Sequence, residues 1–189
     1  MNVDHVRQSF TYDAWANQRV WACAASLSDE QFTEELDYSV GSIRTQILHT
    51  MAVQSWWVHF LATGEIRFLD HDDYSTRETV PPGWDQVEAA TTAYLSTLTD
   101  DGLNRMVQPD HWSERDRPPV AVWQALFQVI NHSTDHRAQT LAGIHRLGGT
   151  TAAQDDLTML RDHEPRNVRP EPDPAGGRRQ PDPVITPRR

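Results

Sequence analysis

The stretch Trp123 to Gly149, WQALFQVINHSTDHRAQTLAGIHRLGG, fits one long helix, and near its middle His132 and His136 stand four residues apart. Residues at i and i+4 lie one above the other on a helix face. Two imidazoles so placed can aim their nitrogens at one metal ion. The same spacing also occurs in exposed or core histidine pairs, so on spacing alone the ligand and structural readings both stay open. The stripe continues through Ala125, Val129, Gln139 and Gly143. These are mostly small residues, so a second helix can approach closely and bring a third ligand.

That second helix is readable upstream. Ile43 to Thr63 is a strong helical pattern, with Ser42 as its N-cap and Gly64 at its C-terminal stop. His49 lies in it, and the helical period places Ala52, Val53, Trp56 and Phe60 on the same side, so that side is expected to face the core. A histidine there is either a hydrogen-bonded core residue or a ligand. Before it, residues 3 to 26 read as a first helix rich in Ala, and Ser28 to Gln31 has the form of a capping box that opens a short second piece. Trp84, Val87, Thr91, Tyr94, Leu95 and Leu98 follow a 3.6-residue period and predict a third long helix that stops near Asp101-Gly102. Glu65 to Pro82 is polar and irregular, and its cluster Asp70, His71, Asp72, Asp73, Tyr74 is read as a solvated loop. Leu103 to Pro119 is a long connection with room for a short hairpin, and Asp155 to Arg161 predicts a last turn or two of helix.

Four amphipathic helices without strand-like alternation predict an all-α four-helix bundle. The 189 residues suit one domain at 1–162, followed from 163 to 189 by a Pro- and Arg-rich tail expected to be disordered. The tail's Arg residues are expected to be passive, because the whole chain carries a formal charge of −10, opposite to the footprint of a nucleic-acid binder. No apolar run reaches the roughly 18 residues of a membrane span, and the first residues lack the apolar core of a secretory signal. A cytoplasmic location is the resulting expectation. Cys23 is the one cysteine, which excludes an internal disulfide and a thiolate-rich zinc site. In an Ala-rich helix it is expected to be structural and not nucleophilic. All 17 basic residues are Arg, which excludes lysine Schiff-base chemistry.

Bundle cores commonly hold metal sites built from facing helices. His49 on one helix and His132 with His136 on another make three neutral-imidazole candidates. Three protein ligands with an open position follow the plan of a catalytic metal site rather than a structural one.

Three segments of the chain resemble the DinB/YfiT-like metalloenzyme family: YDAWANQRVW (Tyr12 to Trp21), the run from Gly41 through GSIRTQILHTMAVQSWWVHFLATG to Gly64, and NHSTDHRAQTLAGIHRLGG (Asn131 to Gly149). The resemblance covers roughly residues 3 to 161. It implies a four-helix bundle with one long crossover connection, commonly a homodimer, and a divalent metal held by three histidines that map onto His49, His132 and His136. All-imidazole ligation suits Zn, Ni or Fe. Some relatives are thiol-dependent transferases or isomerases that use mycothiol or bacillithiol, which implies a metal-dependent enzyme, a thiol S-transferase or a hydrolase acting on a small-molecule substrate. The alternative is a non-enzymatic metal-binding stress-response protein, in keeping with a family name that records induction by DNA damage. The seven Trp residues add to the expectation of a homodimer, since aromatic residues are enriched at interfaces. For the shell around the histidines, or for substrate contact, Gln139 ranks ahead of Asp135, because i+3 from His136 keeps Gln139 on the ligand face. His59, His111 and His145 are expected to be dispensable for metal.

Overall fold

The computed structural model describes residues 2–110, 112 and 117–163. Four long helices form the frame: α1 (Val3–Ala24), α3 (Ile43–Thr63), α4 (Val80–Thr97) and α6 (Val122–Arg146). Between them lie the short helices α2 (Asp29–Thr33) and α5 (Asp100–Leu103), and a last helix α7 (Asp156–His163) follows α6. Val107 pairs with Val120 and Met106 with Ala121 in a two-strand antiparallel ladder, β1 (Met106–Val107) with β2 (Val120–Ala121), so the predicted hairpin room is used by four residues.

Local chemistry sets the ends. Asn2 accepts a hydrogen bond from the His5 amide at 2.9 Å to start α1. Ser28 and Gln31 form the expected capping box on α2. Ser42 caps α3 through the Thr45 amide, and Gly64 ends it in the left-handed conformation. The third long helix begins earlier than its apolar period suggests, at Val80 rather than Trp84, with prolines in its first turn. There the missing N–H of proline has no helical partner to lose. It also ends earlier, at Thr97. Asp101 and Gly102 belong instead to α5, whose start Thr99 caps through the Gly102 amide.

The helices run up, down, down, up. Val6 and Phe10 at the start of α1 pack with Val122, Leu126 and Val129 at the start of α6, while Cys23, Ala24 and Leu27 pack with Ile144 near its end. The two helices are therefore parallel. On α3 and α6 the order reverses, with Ile43 against Gly143 and His49 beside His132. Helices α3 and α4 are parallel, with Ile47 near Val80 at one end and Leu61 near Tyr94 at the other. Two parallel neighbours need a return, and residues 64–79 supply the long crossover. It is held to α3 by Arg44, which donates to the carbonyls of His71 at 2.6 Å and Tyr74 at 2.8 Å.

The core is divided. One apolar cluster joins Phe10, Trp57, Leu61, Tyr94, Leu103 and Leu126; the other joins Leu27, Phe32, Ile43, Met51, Trp84 and Ile144. Between them the buried positions are polar: Asp13 and Asn17 of α1, Gln46, Thr50 and Gln54 of α3, Thr91 of α4, and Ser133, His136, Arg137 and Thr140 of α6. The chain thus buries a polar belt across the middle of its bundle, and every group in that belt must find a partner or carry the cost of desolvation.

Candidate metal centre

At the edge of this belt the three candidate histidines meet. His49 arrives from α3 and His132 with His136 from α6, and one nitrogen from each lies within 4.8 Å of the others. His49 Nε2 and His132 Nε2 are 3.0 Å apart. The ring centroids are separated by 4.9 Å for His49 and His132, 4.7 Å for His49 and His136, and 4.4 Å for His132 and His136. Tetrahedral ligation at a zinc–nitrogen length near 2.05 Å puts neighbouring nitrogens about 3.3 Å apart, so the cluster is already of the size that could hold a metal ion.

Close packing of α3 against α6 makes this possible. A Cβ added at Gly143 would come within 2.7 Å of Ile43 Cδ1, so the tip of this α3 side chain packs directly over the glycine of α6. This is the close approach implied by the small residues of the α6 stripe. The stripe itself is rotated from the sequence reading. Ala125, Val129, His136 and Gly143 are buried, but so are Leu126, Ser133, Arg137, Thr140 and Ile144. His132 and Gln139 are left half-exposed at its margin. On α3 the buried side is Ile47, Leu48, Met51, Gln54, Trp57, Val58 and Leu61. On the side shared by His49, Ala52, Val53, Trp56 and Phe60, Phe60 is buried in the core, Val53 and Trp56 pack half-buried against it, and His49 and Ala52 are half-buried.

The environment keeps the imidazoles neutral. Burial above all, with the neighbouring His136 and His49 adding to it and Asp135 opposing, lowers the His132 pKa to about 4. Burial likewise lowers the pKa of His49, with His136 and His71 of the crossover adding to the effect. Burial lowers that of His136, against the opposing charge of Asp135. Neutral imidazoles are the form that binds metals, so protons compete weakly for these lone pairs.

The hydrogen-bond partner of His136 is Gln46, not Gln139. Gln46 Oε1 lies 2.9 Å from His136 Nδ1, which leaves Nε2 to face the other two rings. Gln139 instead accepts from the Ser39 hydroxyl and donates to Asp135 at 2.9 Å. Its i+3 spacing put it near the right face, but the rotation of α6 carries it to the rim. His132 Nδ1 is buried and has no hydrogen-bond partner among the described residues. His59 is half-buried and lines a cleft between α3 and α4 with Arg67 and Asp70, while His145 is exposed. The expectation for His111 falls outside the described residues, as does that for the tail from 164 onward.

A second polar constellation, missed in the sequence, lies against the first. Arg137 of α6 is almost completely buried and forms an ion pair with Asp13 of α1, which is also fully buried. The guanidinium donates to Ser133 Oγ at 2.7 Å, Asn17 Oδ1 at 3.3 Å, Gln154 Oε1 at 3.0 Å and Thr134 Oγ1 at 2.9 Å. Asn17 Nδ2 donates to Asp13 Oδ2 at 3.0 Å. Burial pushes the Asp13 carboxyl up, against Arg137, Ser133 and Asn17, which favour its ionised form. Cys23 is buried as expected, and burial raises its thiol pKa, the opposite of an activated nucleophile.

Among known proteins, a model of the DinB family matches residues 1–170. The chain belongs to the DinB family. The crystal structure of a DinB-like protein from Bacillus cereus ATCC 10987 superposes with a TM-score of 0.61, at 22% identity, over 80% of this chain and 97% of that one. At that identity the likeness shows the shared helical fold. No curated protein matches the chain. As a DinB family member it joins an all-α fold to a cluster of three histidines that could hold a metal ion. No helix among the described residues is long and apolar enough to cross a membrane.

Proposed function

We propose that this DinB-family chain is a metal-dependent enzyme whose centre is a divalent Zn, Ni or Fe ion held by His49, His132 and His136. The observation that carries the reading is the convergence of three neutral imidazoles at the edge of a buried polar belt. The Nε2 atoms of His49 and His132 are within hydrogen-bond distance at 3.0 Å, and a cation between the rings would replace that contact by coordination. Carboxylates and thiolates are absent from the cluster, so the donor set leaves a divalent ion its full charge.

When bound, such an ion supplies Lewis acidity toward a water or a low-molecular-weight thiol such as mycothiol or bacillithiol. The protein's own groups hold the geometry. Gln46 fixes the ring of His136 from the rear. The Asp13–Arg137 pair locks α6 against α1, and Gly143 lets α3 come close. Half-exposure of His49 and His132 leaves the centre open on one side, where a small-molecule substrate would approach. The reaction class that follows is thiol S-transfer or hydrolysis. Assembly as a homodimer and contact of Gln139 with substrate at the rim belong to the same proposal.

The test is elemental analysis of protein purified without added metal, followed by thiol-transfer and hydrolytic assays on the metal-loaded form. One ion per chain, lost in each His→Ala variant, with turnover in either assay is the expected result. Metal bound in full by the triple variant would overturn the site. Metal bound by the native chain without turnover in either panel would favour a storage or stress-response role over the enzyme.

A further inference from the structure

One more charged group, the half-buried Glu88, borders the polar belt on the side of α1 and α4. Helices α1 and α4 are antiparallel neighbours that touch sparsely, and between them opens a cleft of about 430 Å³. That volume lies in the range of small-molecule sites. Its walls are Phe10, Thr11 and Ala14 of α1 and Thr91 and Leu95 of α4, and Glu88 of α4 lines it. The carboxylate is held in place. Glu88 Oε1 accepts from Gln54 Nε2 at 3.0 Å, and Gln54 is itself buried and donates to Thr91 Oγ1 at 3.0 Å. The Thr91 hydroxyl donates to the Val87 carbonyl at 2.8 Å and so adds nothing to Glu88.

Among the described residues, the nearby charges leave this carboxylate without a countercharge. Arg7 reaches the far end of the cleft, but its guanidinium donates to the carbonyls of Leu95 and Leu98, both at 3.1 Å, and pairs with Asp4. It caps the C-terminal end of α4 about two turns from Glu88. Asp13 behind the site is matched by Arg137. Burial raises the Glu88 pKa to about 7, with Asp13 and Asp85 adding to the effect and the Gln54 hydrogen bond opposing it. A carboxylate with apolar walls beside it and a single donor from the protein is complementary to a cation that carries its own N–H groups and an apolar body.

We propose that the α1–α4 cleft binds a small primary ammonium compound, with its N–H groups on Glu88 and its aliphatic chain along Phe10, Ala14 and Leu95. This site is independent of the metal centre.

The probe is n-butylammonium, titrated into the full chain and followed by calorimetry and amide chemical shifts, with n-butanol as the uncharged comparison. Saturable binding is expected, with shifts centred on α1 and α4. Butanol and the Glu88→Gln variant should each be at least tenfold weaker. Ala14→Phe, which fills the cleft without touching the carboxylate, should also abolish binding, and it serves as the second variant if Glu88→Gln does not fold. His132→Ala should bind the probe as the native chain does, which separates this cleft from amine coordination at a metal. Equal affinity for butanol, unchanged binding by a folded Glu88→Gln, no saturable binding at all, or loss of binding in His132→Ala would overturn the proposal.

Discussion

Helix α6 carries two polar pairs one residue apart in register, His132 with His136 and Ser133 with Arg137. Three of these residues are buried and His132 lies half-exposed at the belt's margin, and the surroundings of the two pairs are opposite. The Arg137 side faces α1 and meets acceptors on every side, so its charge and its donors are consumed within the fold. The histidine side faces α3 and meets another histidine, with the two Nε2 atoms 3.0 Å apart, and His132 Nδ1 finds no partner among the described residues. Buried polarity that is satisfied holds two helices in register. Buried polarity that is left open calls for something from outside the chain.

The largest effect expected from this contrast is on stability. Arg137→Ala leaves Asp13 buried and uncompensated, and should cost about 3–5 kcal/mol. Denaturant unfolding measures this, and a loss below about 1 kcal/mol would mean that the network is not closed. Replacing both partners, as Asp13→Leu with Arg137→Met, should recover most of the loss, since apolar residues of similar volume often substitute for a buried ion pair. On the histidine side the expectation is reversed. His132→Ala should leave the metal-free chain as stable as before while abolishing tight metal binding, because two imidazoles hold a divalent ion poorly. Metal stoichiometry and thermal shift read both halves, and a large drop in metal-free stability would place His132 with the structural group.

Smaller effects sharpen the boundary. Gln46→Leu removes the hydrogen bond behind His136 and should weaken metal affinity by about 10- to 100-fold without changing stoichiometry. An unchanged dissociation constant would show that Gln46 belongs to the packing alone. The smallest effect concerns Glu88, which has one hydrogen bond from Gln54 and so lies between the two cases. Its folded pKa of about 7 is above the ordinary carboxyl value of 4.5. The folded state therefore binds the extra proton, and the stability this contributes is present below about pH 4.5 and lost as pH rises through about 7. Glu88→Gln removes the titration, so its advantage in melting temperature over the native chain should grow between about pH 5 and pH 8. A constant difference across that range would show that Glu88 titrates normally.

Much of this was legible in the residues. The caps at Ser28 and Ser42 and the stop at Gly64 mark helix ends because each fills a local backbone need. The i, i+4 histidine pair was legible for the same reason. The polar belt also left a signal. On α1 the positions Val6, Phe10, Asp13, Asn17, Val20 and Ala24 follow one stripe, and Asp13 and Asn17 interrupt its apolar character where they are buried. Polar residues inside a buried stripe point to a cross-helix network, but the identity of the partner is not local. Gln46 was missed because only the rotation of α6 against α3 brings it, and not Gln139, to His136.

The sequence by itself determined the helices, their caps and the two imidazoles that share a face, since these depend on neighbours within a few residues. His49 was already named beside them, but tertiary structure alone decided whether it came within reach of the pair. His49 lies 83 residues from His132, and their contact depends on the crossover that returns the chain along α3 and on the glycine that lets α6 come close. It also decided which buried polar groups were paired. Helix period fixes the direction of a side chain to within a fraction of a turn, and a rotation of that size exchanges a buried partner for solvent.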